Sequence, residues 1–182
     1  GTTLIVQCYS TRGLDAVAAY NISSTVNNFF SMAVLAMGTA ISIMVGQELG
    51  AGEFEQAVDT NRKMIAFGAV LCMGAAVLLA IFAPLFPKIY NTTDYVRELA
   101  RNLLWIDAIF LTARGLYNSC YFTLRSGGKT LLTFLFDSVS MWILNLPVAF
   151  ILAHFTGLPL ISMYAVVQIV DALKTMLGLY LV

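Results

Sequence analysis

Long apolar runs alternate with short polar links along almost the whole chain. A helix needs about 20 apolar residues to cross the hydrocarbon core of a membrane. Four runs reach that length, and they cover residues 15–47, 64–87, 99–123 and 131–153. A fifth run begins at Leu158 and is still apolar at Val182, whereas the apolar segment 1–10 is too short to cross. The pattern therefore predicts five membrane-spanning helices.

The composition strengthens this prediction. Hydrophobic residues make up 59% of the 182 residues, charged residues make up 11%, and the mean hydropathy is +0.82. An average soluble domain contains about 25% charged residues. We therefore expect an all-α membrane protein, a polytopic bundle of transmembrane helices whose main partner is the lipid bilayer. Ten Lys and Arg balance ten Asp and Glu, so the charge gives no sign of a nucleic-acid partner.

The links are short, so consecutive helices are expected to lie antiparallel and to pack as neighbours. Positive charge does not orient them, because both sides carry the same number of cations. One side holds Arg62, Lys63, Arg125 and Lys129, and the other holds Arg12, Lys88, Arg97 and Arg101. Asp94 is a candidate helix N-cap, and Pro147 lies inside a run, where its missing N–H should bend the helix.

No pattern of catalytic or metal-binding residues is found. Cys8, Cys72 and Cys120 lie far apart in apolar sequence, and His154 is the only histidine, so neither a disulfide framework nor a metal site is predicted. The chain has no HExxH motif and no serine in a Gly-x-Ser-x-Gly setting. We therefore expect no enzyme activity and no cofactor.

Five ionisable residues lie inside the predicted spans, where each costs about 3 kcal/mol on insertion scales. They are Asp107, Arg114, Asp137, Asp171 and Lys174. Asp107 and Arg114 are seven residues apart and share a helix face, while Asp171 and Lys174 are three apart and can pair. Charges this costly are expected to have a partner or a task.

Counting the helical rise from each link places four of these residues at a similar depth. They are Arg114, Asp137, Asp171 and Lys174. We hypothesise that these four form a network in a polar cavity that changes protonation with conformation, with Asp107 lying further out. The alternative is a set of fixed ion pairs that only hold helices together.

Uncharged polar residues mark two further candidate surfaces. Asn21, Thr25 and Asn28, with Ser24, fall on one face of the first span, where they either form interhelical hydrogen bonds or line a hydrated cavity. Tyr117, Asn118, Trp142 and Asn145 are candidates to add aromatic and amide groups to a pocket.

Two glycine-rich segments follow the first and third spans. The first contains Gly46, Gln47, Gly50 and Gly52. Gly46 and Gly50 are four apart, which favours close backbone approach, and Gly52 is suited to the left-handed conformation that ends a helix. The second segment is Leu124-Arg125-Ser126-Gly127-Gly128-Lys129-Thr130. Together they resemble the Gly-Gln-x-x-Gly-Ala-Gly and Leu-Arg-x-Gly-Gly-x-Thr motifs of the multidrug and toxic compound extrusion family.

The resemblance covers nearly the whole chain and implies one lobe of a transporter with two lobes of six helices. The chain would be a C-terminal lobe fragment, cut at both ends, with helix seven ending at about 1–10 and helices eight to twelve at about 15–47, 64–87, 95–123, 131–153 and 158–182. The links at Gly52 and Gly127 would then be cytoplasmic. Asp137, Trp142 and Pro147, with Asp171 and Lys174, are similar to a bacterial branch of the family.

The family resemblance implies export of cationic or amphipathic organic compounds by alternating access, driven by H⁺ or Na⁺. It also implies a bacterial cytoplasmic membrane, a partner N-terminal lobe of the same chain and a monomeric protein. One branch carries a coupling aspartate eleven residues before the Arg125 position, where this chain has Arg114. Sodium coupling of that design is therefore not expected, and Asp137, Asp171 or an acid in the N-terminal lobe is the better proton-site candidate.

Three alternatives stay open. A flippase for lipid-linked precursors, from the same wider superfamily, would need a strongly cationic cavity, and three acids against two bases within the spans argue mildly against it. An intramembrane enzyme lacks a nucleophile or metal pattern. A structural membrane subunit would have no use for five costly intramembrane charges.

Overall fold

The structure, a computed structural model, describes residues 2–128 and 130–181, without the side chains of residues 2, 130, 132, 136, 174 and 177–181. The elements of this part of the chain are helices. They are α1 (Thr2–Ser10), α2 (Leu14–Gly50), α3 (Phe54–Phe82), α4 (Phe86–Ile89), α5 (Asp94–Ser126), α6 (Thr130–Phe134), the π-helical segments π1 (Leu135–Val139) and π2 (Met141–Asn145), α7 (Leu146–Phe155) and α8 (Leu160–Leu181).

Helices occupy all five apolar runs. In the described residues, length and hydropathy qualify Leu14–Gly50, Phe54–Phe82 and Asp137–Phe155 as membrane spans. Helix α5 has 33 residues and at about 1.5 Å per residue is also long enough to cross. The charged residues within α5 lower its mean hydropathy. Its length and its packing inside the bundle, rather than its composition, therefore identify it as a spanning helix. The numbering of these helices within a larger transporter stays a prediction.

Helix α5 is the centre of the bundle and packs against α2, α3 and α8. Its contacts with α2 and α3 depend on two glycines. A methyl group on Gly115 would clash with Cys72 Sγ of α3, and one on Gly38 of α2 would clash with the Phe122 ring of α5. Membrane helices lack a hydrophobic driving force between them and associate through this kind of close packing. These helices can therefore approach one another closely because Gly38 and Gly115 have no side chain.

The two ends of the bundle differ in how their helices end. At one end, Gly52 and Gly128 have φ angles of +80° and +76°, which glycine adopts without strain. After Gly52 the Glu53 N–H donates to the Glu48 carbonyl at 3.0 Å, as in a Schellman motif. We call this the glycine-loop end. The prediction that Gly52 ends a helix in the left-handed conformation is confirmed.

The expected close approach at Gly46 and Gly50 is wrong for Gly50. A methyl group there would meet nothing within 4 Å, while one on Gly46 would lie 4.0 Å from Ser126 Cβ. Of these two glycines, Gly46 is therefore the one that lies beside the second glycine segment. Gly50 lies on an exposed part of the helix end, so its spacing from Gly46 has no packing role in this bundle.

At the opposite end, Arg12 joins the link before α2 to the end of α7. Its Nη2 donates to the Leu152 carbonyl at 3.0 Å and also to the Thr156 carbonyl. A cation at a helix C-terminus is favoured by the helix dipole and by unpaired carbonyls. Helix α5 begins at this end, and the N-cap is Thr93 rather than the predicted Asp94, because the Thr93 hydroxyl accepts from Val96 N–H at 3.4 Å.

The span from Thr130 to Phe155 contains the two π segments, and Pro147 explains the second. Proline has no N–H, and its ring clashes with the carbonyl four residues earlier, so a widened turn just before it relieves the conflict. Segment π2 ends two residues before Pro147. A π turn includes more residues than an α turn, so side chains four apart follow one another along the helix axis. Asp137, Met141 and Asn145 therefore face the same side.

Candidate functional site

Asp107 is fully buried near the middle of α5 and accepts four hydrogen bonds. Its Oδ1 receives Arg114 Nη2 at 2.6 Å, Tyr164 OH at 2.6 Å and Gln168 Nε2 at 3.1 Å, and its Oδ2 receives Ser23 Oγ at 2.8 Å. A carboxylate has about four acceptor positions. Donors from α2, α5 and α8 thus match this number, with three on Oδ1 and one on Oδ2, which offsets the desolvation of a buried charge.

This arrangement corrects the network predicted from depth. Arg114 was grouped with Asp137, Asp171 and Lys174, but its ion-pair partner is Asp107 on its own helix. The Lys174 side chain lies outside the described residues. Asp107 was placed outside the network because the depth count used height along the membrane alone. Its shared face with Arg114 was the available signal for this pair.

A cavity of about 240 Å³ lies beside this pair, between α5, the span 130–155 and α8. Six of the residues predicted for the site line it. They are Arg114, Tyr117, Asn118, Asp137, Asn145 and Asp171. Phe110 and Met141 add apolar wall, and Gln168 reaches from the cavity to Asp107. Apolar walls with a few convergent polar groups are typical of small-molecule sites.

Asn145 holds the Asp171 carboxylate at the wall of this cavity. Asn145 Nδ2 donates to Asp171 Oδ1 at 2.7 Å. An ionised carboxylate only accepts, so the amide nitrogen faces it and the amide oxygen points elsewhere. Asn145 is 5% exposed, and its Oδ1 is buried with no hydrogen-bond partner in the described residues. Asp171 is half-buried, so its carboxylate is the member of this pair that a donor or cation from a bound molecule can reach.

Asp137 lies on π1 at the edge of the same cavity and is exposed. The Tyr117 hydroxyl contacts its Oδ1 at 3.4 Å, which is a long distance for a hydrogen bond of this type. Asp137 is thus held less firmly than Asp107. Its carboxylate is accessible to a bound molecule, to water or to a proton.

The polar face predicted on α2 does not line this cavity. Asn21, Thr25 and Asn28 are exposed, and the Thr25 hydroxyl donates to the Asn21 carbonyl of its own helix at 2.8 Å. The neighbouring Ser23 is the α2 residue that reaches Asp107. Trp142 is also exposed and lies outside the cavity lining. The sequence pattern identified a polar segment, but helix rotation turned a different residue inward.

The remaining candidates for chemistry have other surroundings. Cys8, Cys72 and Cys120 are buried free thiols, and the His154 ring packs on Phe150 with centroids 4.4 Å apart. Within residues 2–128 and 130–181 no group of three His, Cys, Asp or Glu side chains is placed to hold a metal ion. The described groups therefore fit binding of a small molecule or cation better than catalysis.

Known proteins resemble this chain in sequence. A family model described as MatE matches residues 2–151. The chain is 26% identical over 152 residues to "Probable multidrug resistance protein YoeA" of Bacillus subtilis, covering 84% of this chain and 33% of that protein. It is 27% identical over 143 residues to "Multidrug resistance protein MdtK" of Yersinia pseudotuberculosis, covering 79% and 31%. The chain spans about a third of the length of these curated relatives.

A solved structure has the same fold. It is described as "Crystal structure of MATE in complex with MaL6", and the two folds superpose with a TM-score of 0.87 at 14% sequence identity. The match covers 98% of this chain and 40% of that chain. At this identity the likeness concerns the fold alone. It confirms the prediction of a polytopic helical membrane bundle.

Proposed function

Because the chain belongs to the MatE family, we propose that it forms one lobe of a multidrug efflux transporter that exports cationic or amphipathic organic compounds. The transporter works by alternating access, as a secondary antiporter driven by H⁺ or Na⁺, in the bacterial cytoplasmic membrane. It acts as a monomer together with an N-terminal lobe of the same protein. The names of the relatives, all multidrug resistance proteins, support this proposal.

The half-buried Asp171 carboxylate at the cavity wall, to which Asn145 Nδ2 donates at 2.7 Å, is the observation that carries the substrate class. The positive charge of Arg114 is already matched by Asp107 at 2.6 Å. Asp171 and Asp137 place two carboxylates in the cavity lining, while Phe110 and Tyr117 supply aromatic surface. A carboxylate with aromatic neighbours binds organic cations through charge and cation–π contact.

The same charges disfavour transport of a lipid-linked pyrophosphate. An anionic headgroup would need uncompensated cations in the cavity, and Arg114 is paired with Asp107. The same pair bears on the choice of coupling ion. Asp107 is fully buried and already receives four donors, so it is a poor site for sodium. Protonation of Asp171 or Asp137, which removes the charge that holds a cationic substrate, is the simplest coupling for this lobe.

Ethidium efflux tests the proposal. The protein is expressed from its complete gene in a drug-sensitive bacterium, and the proton and sodium gradients are collapsed separately. We expect efflux to stop when the proton gradient is lost and to continue without sodium. Efflux that depends on neither gradient would reject antiport.

A substitution connects this activity to the cavity. Asp171→Asn keeps the shape and removes the charge, so efflux of ethidium should be lost. Asp15→Asn, an exposed acid outside the cavity, is the matched control and should retain efflux. Equal efflux in both variants would remove Asp171 from the substrate site.

A further inference from the structure

A second, smaller cleft continues from the central cavity toward the glycine-loop end. Its volume is about 230 Å³, and it lies between α5 and the start of the span 130–155. Its lining consists of Tyr121, Arg125, Thr133, Phe134, Asp137 and Ser138. Asp137 also lines the central cavity. This carboxylate is therefore the boundary that the two spaces share.

The two spaces form one polar seam along α5. Tyr117 and Tyr121 are four residues apart, as are Tyr121 and Arg125, so each is a neighbour of the next on the surface of α5. The rise of 1.5 Å per residue places Arg125 about 12 Å beyond Tyr117. Arg125 is exposed in the last turn of α5. A polar route of this length thus leads from the Tyr117–Asp137 contact to the end of the bundle.

The groups along this seam suit proton movement better than passage of a metal ion. Ser138 and Thr133 carry hydroxyls, which both donate and accept hydrogen bonds, and Asp137 takes up or releases a proton. The titratable or charged groups around Asp137 in the described residues are Arg114, Tyr117, Tyr121 and Arg125 on α5 and Asp171 on α8.

We propose that Asp137 relays the coupling proton between the central cavity and the second cleft, which is the proton's route to the glycine-loop end. The inference rests on the proposed antiport. The Asp137 carboxylate takes a proton from the Asp171 carboxylic acid through cavity water, and Asp171 becomes a carboxylate. The Asp137 acid then gives this proton to water in the cleft. In these two steps one proton passes from Asp171 to water in the cleft, and both groups end ionised.

The first test removes polar groups from the cleft and leaves the lining of the central cavity unchanged. Thr133→Val with Ser138→Ala removes two hydroxyls that line the cleft alone. Substrate-driven proton release is measured with a pH-sensitive dye in proteoliposomes that contain the full protein. Binding of tetraphenylphosphonium to the purified protein is measured at equilibrium. We expect release to slow at least about tenfold, because a positioned proton-transfer group is lost, while binding stays unchanged.

The matched control is Thr39→Val with Ser31→Ala on α2. The Thr39 hydroxyl donates to a carbonyl of its own helix at 2.9 Å, and both residues lie away from the cleft. This control should release protons at the rate of the unchanged protein. Unchanged release in the Thr133 and Ser138 variant, with tetraphenylphosphonium still bound, would overturn the relay.

A second test measures whether water-soluble reagents reach the cleft, without any transport assay. Ser138→Cys should react with a charged, membrane-impermeant thiol reagent applied at the glycine-loop end and not from the opposite side. Ile143→Cys on the same span is the control, because Ile143 is 65% exposed on the bundle surface and lies outside the cleft. Absence of reaction at position 138 from the glycine-loop end would reject a water-filled route.

The outcomes separate the relay from the proposed antiport. Efflux without gradient dependence rejects antiport, and the relay falls with it even if Ser138→Cys reacts. Proton-driven efflux combined with an unreactive Ser138→Cys rejects the relay alone. Sodium-driven efflux also rejects the relay and leaves the transporter in place.

Discussion

Asp107, which is fully buried, and Asp171, which is half-buried, have opposite surroundings in this bundle. Asp107 receives four donors and has no exposed surface. Asp171 is half-buried at the wall of a cavity and has Asn145 beside it, with an amide oxygen that no group fills. Gln168 connects the two regions, because it lines the cavity and donates to Asp107.

The difference shows how the same residue type supports structure at one position and binding at another. A fully buried carboxylate with four donors holds helices together and is out of reach of a ligand. A carboxylate at a cavity wall keeps capacity for a cation or a proton. If this division is right, substitutions at Asp107 should change stability most, and substitutions at Asp171 should change binding most.

The largest effect is expected for Asp107→Ala. It leaves the Arg114 guanidinium, whose side chain is 25% exposed, without its counter-charge. Breaking one side of a buried pair costs about 3–5 kcal/mol, and the partial exposure of Arg114 favours the lower end of that range. Thermal unfolding of the purified protein in detergent measures the loss. Asp107→Asn with Arg114→Gln removes both charges and should be more stable than Asp107→Ala. If Asp107→Ala alone were harmless, the pair would not hold the bundle together.

Asp171→Asn should show the opposite profile. Loss of a charged hydrogen-bonding group changes an interaction by about 1.5–3 kcal/mol, so tetraphenylphosphonium should bind roughly ten- to a hundredfold more weakly. The midpoint of thermal unfolding should move much less than for Asp107→Ala. A large loss of stability with normal binding would assign Asp171 to the structural class.

Much of this contrast could be predicted from the sequence, because charged residues inside long apolar runs are rare and easily recognised. The apolar runs predicted the helices, and the spacing of Asp107 and Arg114 placed both on one face. Ser23, Tyr164 and Gln168 were missed as partners of Asp107. Uncharged polar residues are common in membrane helices, and helix rotation decides which of them point inward.

The alignment of Asp137 with Asn145 was also beyond sequence reasoning. The two residues are eight apart, and in a regular α-helix they would not share a narrow face. Segments π1 and π2 bring both to the cavity. Pro147 predicted a disturbance in this helix but gave no sign of its form. A widened turn and a bend are both responses to a missing N–H.

Ser23→Ala tests whether each donor to Asp107 contributes separately to the stability of the protein. Ser23 is the donor to Asp107 Oδ2, so its loss leaves a buried carboxylate oxygen without a partner. We expect a loss of about 2 kcal/mol, within the range for bonds to charged groups, again by thermal unfolding. Ser10→Ala is the control, since the exposed Ser10 hydroxyl donates to the Gln7 carbonyl of its own helix. Equal stability of both variants would contradict this role.

Tyr164→Phe should have the smallest effect of the series. It removes one hydroxyl from Asp107 Oδ1, which keeps Arg114 and Gln168 as donors. The expected loss is about 1 kcal/mol, near the net value of an ordinary hydrogen bond. Tyr95→Phe, the same change at a residue 65% exposed, should leave stability unchanged. Ser23 is the single donor to Asp107 Oδ2, whereas Tyr164 is one of three donors to Oδ1. A larger loss of stability for Tyr164→Phe than for Ser23→Ala would therefore show that the number of donors on each oxygen does not govern what Asp107 contributes to protein stability. The distinction between the two carboxylates would then have to rest on helix contacts instead.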